Sequence, residues 1–142
     1  MRFFASHDFL QPRAVVLARL ADPARLEDVL LDLGAECRRV ACAQGAEWQG
    51  ALHWRGAARG FAATLQDTAA GRSVGLSLRA DLADALVDFH VDDLAGGGCR
   101  VEARAEVRAH RMMARIALRS MAMMRGRLET RLERLIQALG RP

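Results

Sequence analysis

The spacing of apolar positions changes period three times along the chain. Residues 2–10 alternate, with Phe3, Ala5, His7 and Phe9 on one side and Phe4, Ser6, Asp8 and Leu10 on the other, which predicts a first strand. Gln11-Pro12 ends it, and proline suits the first turn of a helix. A short helix then runs to about Leu20, burying Val16 and Leu20. Asp22-Pro23 restarts a second helix, with Asp22 as N-cap and Pro23 at its first position. Leu26, Val29, Leu30 and Leu33 form its apolar stripe, and Gly34 supplies the stop.

After Gly34 the period becomes two. Strands are expected at about 36–42, 47–55, 58–67, 73–80, 85–93 and 99–109. In the last, Val101, Ala103, Ala105 and Val107 face one way, while Arg100, Glu102, Arg104, Glu106 and Arg108 face the other. Alternating charge on a wet face suits cross-strand pairing in an antiparallel sheet. Short links such as Ala69-Ala70-Gly71-Arg72 predict a meander, and Ala95-Gly96-Gly97-Gly98 reads as a turn.

From Arg111 to Leu139 the period is helical again. A helix of that length spans about 43 Å, more than the roughly 37 Å diameter expected of so small a domain. It should overhang or bend, with Gly126 as the expected bend. At 100° per residue, Met113, Ala117, Met121, Met124, Leu128, Leu132, Leu135 and Leu139 form one stripe expected to face the sheet. Before Gly126 a second apolar flank, Met112, Ile116 and Met123, leaves only Arg111, Arg115, Arg119 and Ala122 for water. That flank has three open readings: core beneath the two short helices, the wall of a ligand cavity, or a surface for a partner chain or membrane.

The order of strand, two short helices, long meander and long C-terminal helix resembles the START-like superfamily. This is the SRPBCC or helix-grip fold, which includes the polyketide cyclase/dehydrase-like group. The resemblance covers essentially the whole chain as one domain, 1–142, of α+β class. It is carried by Phe9-Leu10-Gln11-Pro12, Leu20-Ala21-Asp22-Pro23, Gly34-Ala35-Glu36, Trp48, Trp54-Arg55-Gly56 and Gly126-Arg127-Leu128. These are scaffold marks and not a catalytic motif. The resemblance implies a curved antiparallel sheet of about six to seven strands wrapped round the last helix, with an apolar cavity between them. Members bind lipids, sterols, polyketides or plant hormones, and some cyclise or dehydrate polyketides.

The candidate ligand-binding residues are therefore His7, Trp48, Trp54, Phe61, Leu76, Phe89, Met113, Ala117 and Met121, with His7 as the polar contact. Small residues among the inward positions, Gly50, Ala63, Ala103 and Ala105, are expected to leave volume opposite the helix.

Composition narrows the rest. The chain has 142 residues, is 51% hydrophobic and 27% charged, and contains no run long enough to cross a membrane as a helix. Its start lacks the apolar core of a signal peptide, so a cytoplasmic location is expected. All 21 basic residues are arginine. Residues 1–110 carry a balance of −2 and residues 111–142 one of +6, so the basic excess belongs to the last helix. Aromatics are 5% and sit at core-like positions, which disfavours nucleic acid. Cys37, Cys42 and Cys99 lack the spacing of a zinc site and read as reduced thiols. Asp88, His90 and Asp92 share one strand face, but alternate with Val87, Phe89 and Val91 and should face solvent. There is no G-x-S-x-G context and no phosphate-cradling glycine loop. No cofactor, metal or catalytic residue is assigned. The alternatives to ligand binding are a membrane-contact or homodimer module using Met112, Ile116 and Met123, and a cyclase-like enzyme.

Overall fold

A computed structural model describes residues 1–41, 45–54, 56–69 and 71–142, with the Trp54 side chain left out. Cys42 and Arg55 lie outside the described residues. The chain runs β1 (Arg2–Phe9), α1 (Arg13–Leu20), α2 (Pro23–Asp32), β2 (Glu36–Val40), β3 (Ala46–Trp54) and β4 (Ala57–Ala69). It continues through β5 (Ser73–Ala80), β6 (Ala83–Asp93), β7 (Cys99–Ala109), α3 (Met112–Ala122) and α4 (Arg125–Gly140). The strands form one antiparallel sheet in the order β1-β7-β6-β5-β4-β3-β2. Strands β2 to β7 are the expected meander. The helices α1 and α2 carry the chain from β1 at one edge to β2 at the other.

Local chemistry accounts for these boundaries. Asp22 caps α2 by accepting from the Ala24 amide at 3.0 Å, with Pro23 in the first turn. Gly34 ends α2 in the left-handed region, at φ 81°. The Gly34 and Ala35 amides then bond the Leu31 and Leu30 carbonyls, closing a Schellman motif.

Register puts Phe3, Ala105, Val87 and Leu76 in one inward row and Ala5, Ala103, Phe89 and Val74 in the next. These residues are buried beneath α1, α2 and α4, whose contributions include Val16, Leu20, Leu26, Leu132, Ile136 and Leu139. On the outward face the charges pair in two ways. Arg100 bonds Asp8 across strands at 2.7 Å, whereas Arg104 and Arg108 meet Glu102 and Glu106 along their own strand.

Two expectations need correction. The terminal helix is not continuous. It breaks at Met123–Met124, two residues before Gly126, where Met124 adopts φ −109° and ψ 25°. The single apolar stripe consequently fails. In α4, Leu132, Ile136 and Leu139 are buried, with Leu128 and Leu135 partly so. In α3 the buried residue is Ala114, while Met113 and Met121 are exposed, as is Met124 at the break. The non-helical turn resets the phase, so positions aligned on one ideal helix no longer share a face. Gly50 also leaves no free volume: a side chain there would overlap the Glu36 carbonyl of β2. Its missing Cβ is where the edge strand sits.

Candidate functional site

The inward apolar face of the sheet extends past the part that α1, α2 and α4 cover. At the end where β7 leads into α3, Leu52, Phe61, Leu78 and Val107 are only partly buried. Register aligns Val107 with Ala85 and Ala85 with Leu78. The next positions outward hold alanines, Ala109 opposite Ala83, and Ala80 opposite Phe61. α3 borders this end, packing against β7 with Ala114 buried and Ala117 and Leu118 half-buried.

The residues expected to line a ligand site divide accordingly. Trp48 and Phe89 are fully buried, and Leu76 nearly so, all as core. Phe61 and Ala117 lie half-buried at the open end. Met113 and Met121 are exposed on α3. The Trp54 side chain lies outside the described residues. His7 is committed to α4: its Nδ1 lies 3.3 Å from Gln137 Nε2 and 3.6 Å from Glu133, and its ring meets Phe9 edge-on.

A concavity of about 600 Å³ crosses the opposite face of the sheet. Register supplies its two rows. Arg2, Glu106, Leu86, Ser77 and Thr64 form one, and Phe4, Arg104, Asp88, Gly75 and Gln66 the other. Arg125 and Glu129 of α4 close one side. Sequence reasoning missed this role for α4. Arg125 donates to the Arg2 carbonyl at 2.7 Å, and Glu129 accepts from the Phe4 amide at 3.4 Å. Both bonds occupy the free edge of β1, which would otherwise expose unpaired backbone groups. No local spacing signals an interaction between residues more than 120 positions apart.

The Asp88/His90/Asp92 group sits on this outward face. His90 Nε2 meets Asp92 at 3.1 Å and Asp88 accepts from Thr68 at 3.1 Å. Among the described residues no group of three or more His, Cys, Asp or Glu is placed to hold a metal ion. Among them, too, no helix is long and apolar enough to cross a membrane.

Comparison with solved structures gives the fold. The chain is similar to a Thermus thermophilus protein at TM-score 0.72 and 13% identity, covering 99% of this chain and 94% of the other. It is similar to the Zhui aromatase/cyclase of a Streptomyces species at TM-score 0.69 and 13% identity, covering 99% and 92%. A START superfamily protein of Mycobacterium smegmatis matches at TM-score 0.57 and 14% identity, covering 94% and 98%. No family model and no curated protein sequence matches. The fold is thus START-like, of the SRPBCC or helix-grip type.

Proposed function

We propose that the protein binds a hydrophobic small molecule or lipid at the open end of the grip, between the sheet and α3. One observation carries this reading: the inward face stays largely apolar where its covering runs out, leaving Leu52, Phe61, Leu78 and Val107 partly buried, with the half-buried Arg59 opposite Leu52 as a charged neighbour. An apolar lining with few polar groups suits a ligand held by shape and burial. The fold is shared with an aromatase/cyclase and a START protein, which is consistent with such a role. The Asp88/His90/Asp92 group lies on the outward face and not on the inward face proposed to bind, so binding is favoured over catalysis. We place the protein in the cytoplasm, which agrees with free thiols at Cys37 and Cys99.

Native mass spectrometry of the purified protein tests the reading. A bound apolar species, lost when Leu78→Trp fills the hollow, is the expected result. Wild-type protein that carries nothing and takes up no fatty acid or aromatic probe overturns it. A second reading places the ligand in the outward trough, favoured by its volume of about 600 Å³, within the usual range for small-molecule sites. There Leu86→Trp would abolish uptake and Leu78→Trp would not.

A further inference from the structure

The flank of α3 formed by Met112, Ile116 and Met123 is not covered by the two short helices. These side chains are 76%, 59% and 91% exposed. On a helical wheel they fall within about 40° of one another, on the side away from Ala114, Ala117 and Leu118. Arg111, Arg115 and Arg119 run beside them as one row, about 20–100° away. Across residues 107–128 the sequence has six arginines and no acidic residue. Arg111 is held by Asp81 at 3.0 Å, but among the described residues neither Arg115 nor Arg119 forms a salt bridge.

We propose that α3 docks the protein onto an anionic lipid bilayer, lying in the plane of the interface. Met112, Ile116 and Met123 would enter the acyl boundary while Arg115 and Arg119 meet lipid phosphates. The charge pattern selects this occupant. A symmetric contact with a second copy would bring two arginine rows together, which is unfavourable. Nucleic acid would satisfy the arginines but not the apolar stripe. A bilayer with anionic head groups satisfies both, since apolar burial and electrostatic attraction act together on an interfacial helix. The inference holds whether or not the hollow carries a ligand.

Co-sedimentation of the full chain with vesicles tests it. One set is phosphatidylcholine alone and the other a phosphatidylcholine–phosphatidylglycerol mixture. Binding is expected to the mixture only, and to weaken with added salt. Arg115→Gln with Arg119→Gln should lower partitioning on the order of thirty-fold. Met112→Ser, Ile116→Ser and Met123→Ser together should lower it at least roughly ten-fold. All five positions are exposed, and fluorescence of the buried Trp48 checks the fold of each variant. In the unaltered chain, hydrogen exchange over 112–123 should slow when the mixed vesicles are added. Absence of binding to the mixture at low salt overturns the inference. So does binding indifferent to the serine variant, or protection confined to other elements. A homodimer that the serine variant dissolves, without vesicle binding, assigns the face to a second copy and overturns it too.

Discussion

The indole N–H of Trp48 donates to the Glu27 carboxylate at 2.8 Å, and the same oxygen accepts from Arg39 Nε at 2.7 Å. Trp48 is fully buried, so its only polar atom must find a partner inside the protein. Glu27 reaches it from α2, and Arg39 comes from β2, opposite Trp48 in the ladder. The Arg39 guanidinium also lies 6.0 Å from the indole centre. One carboxylate therefore joins the second helix to two strands.

Replacing Glu27 with alanine should cost about 1–3 kcal/mol, since it leaves a buried N–H unpaired. The arginine and the indole both hold the Glu27 carboxyl below its usual range, the arginine bond contributing most. A lowered folded value means this contribution is complete at neutral pH and lost as the pH falls through that value. Wild type and Glu27→Ala should thus differ in urea unfolding, followed by tryptophan fluorescence, at pH 7 and converge below about pH 4. A constant difference down to acid pH would detach the effect from ionisation.

Two glycines of α4 predict opposite outcomes for the same substitution. Gly126 has nothing within 4 Å of where a Cβ would stand. Gly126→Ala should stabilise by about 0.5–1 kcal/mol, because alanine loses less backbone entropy in a helix. At Gly140 a Cβ would lie 2.5 Å from the Phe9 ring, in a buried site. Gly140→Ala should destabilise by about 1–3 kcal/mol through overpacking, despite its better helix propensity. Thermal unfolding of the two variants checks both signs.

The cysteines make a prediction about reactivity. Burial pushes the thiols of Cys99 and Cys37 above their ordinary values, with carboxylates adding to the effect: Asp93 and Asp8 for Cys99, Glu27 for Cys37. Little thiolate is then present near about pH 8, and access is limited as well. Native protein treated with iodoacetamide and mapped by peptide mass should show Cys99 unmodified and Cys37 slowly modified. Full modification of Cys99 without denaturant would contradict its burial.

The fold was legible in the sequence wherever the signal was local. The alternation in β1 and β7, the Asp22-Pro23 start and the Gly34 stop of α2 each rest on residues within a few positions of one another. Of the Met112/Ile116/Met123 flank the spacing showed that the three share one side of the helix, but not that this side is exposed rather than core. What escaped depended on tertiary geometry. Ideal helical spacing cannot show a break at Met123–Met124, because neither glycine nor proline marks it. The engagement of His7 by Gln137, and of the β1 edge by Arg125 and Glu129, joins opposite ends of the chain. Gly50 read as spare volume because its occupant, the backbone of β2, is set by sheet register.

The C-terminal end of α4 is held by arginines of the two short helices. Arg19 donates to the Gly140 carbonyl at 3.1 Å and Arg25 to the Leu139 carbonyl at 3.2 Å, with a further bond from Arg25 to the Arg141 carbonyl. The last carbonyls of a helix lack partners within it and carry the negative end of its dipole, so a guanidinium serves both needs. Leu139 and Ile136 are buried just inside this end, which couples the cap to the core. Arg19→Ala and Arg25→Ala should each cost about 1–2 kcal/mol, the upper part of the range for a partly buried cation at a helix terminus. Lysine at either position should restore part of the loss, since it keeps the charge but not the planar fork. Hydrogen exchange should localise the effect, with amides of residues 136–140 opening faster in both alanine variants while those of β4 and β5 keep their protection. Uniform acceleration across the sheet would instead mean that the arginines support the whole fold and not this terminus.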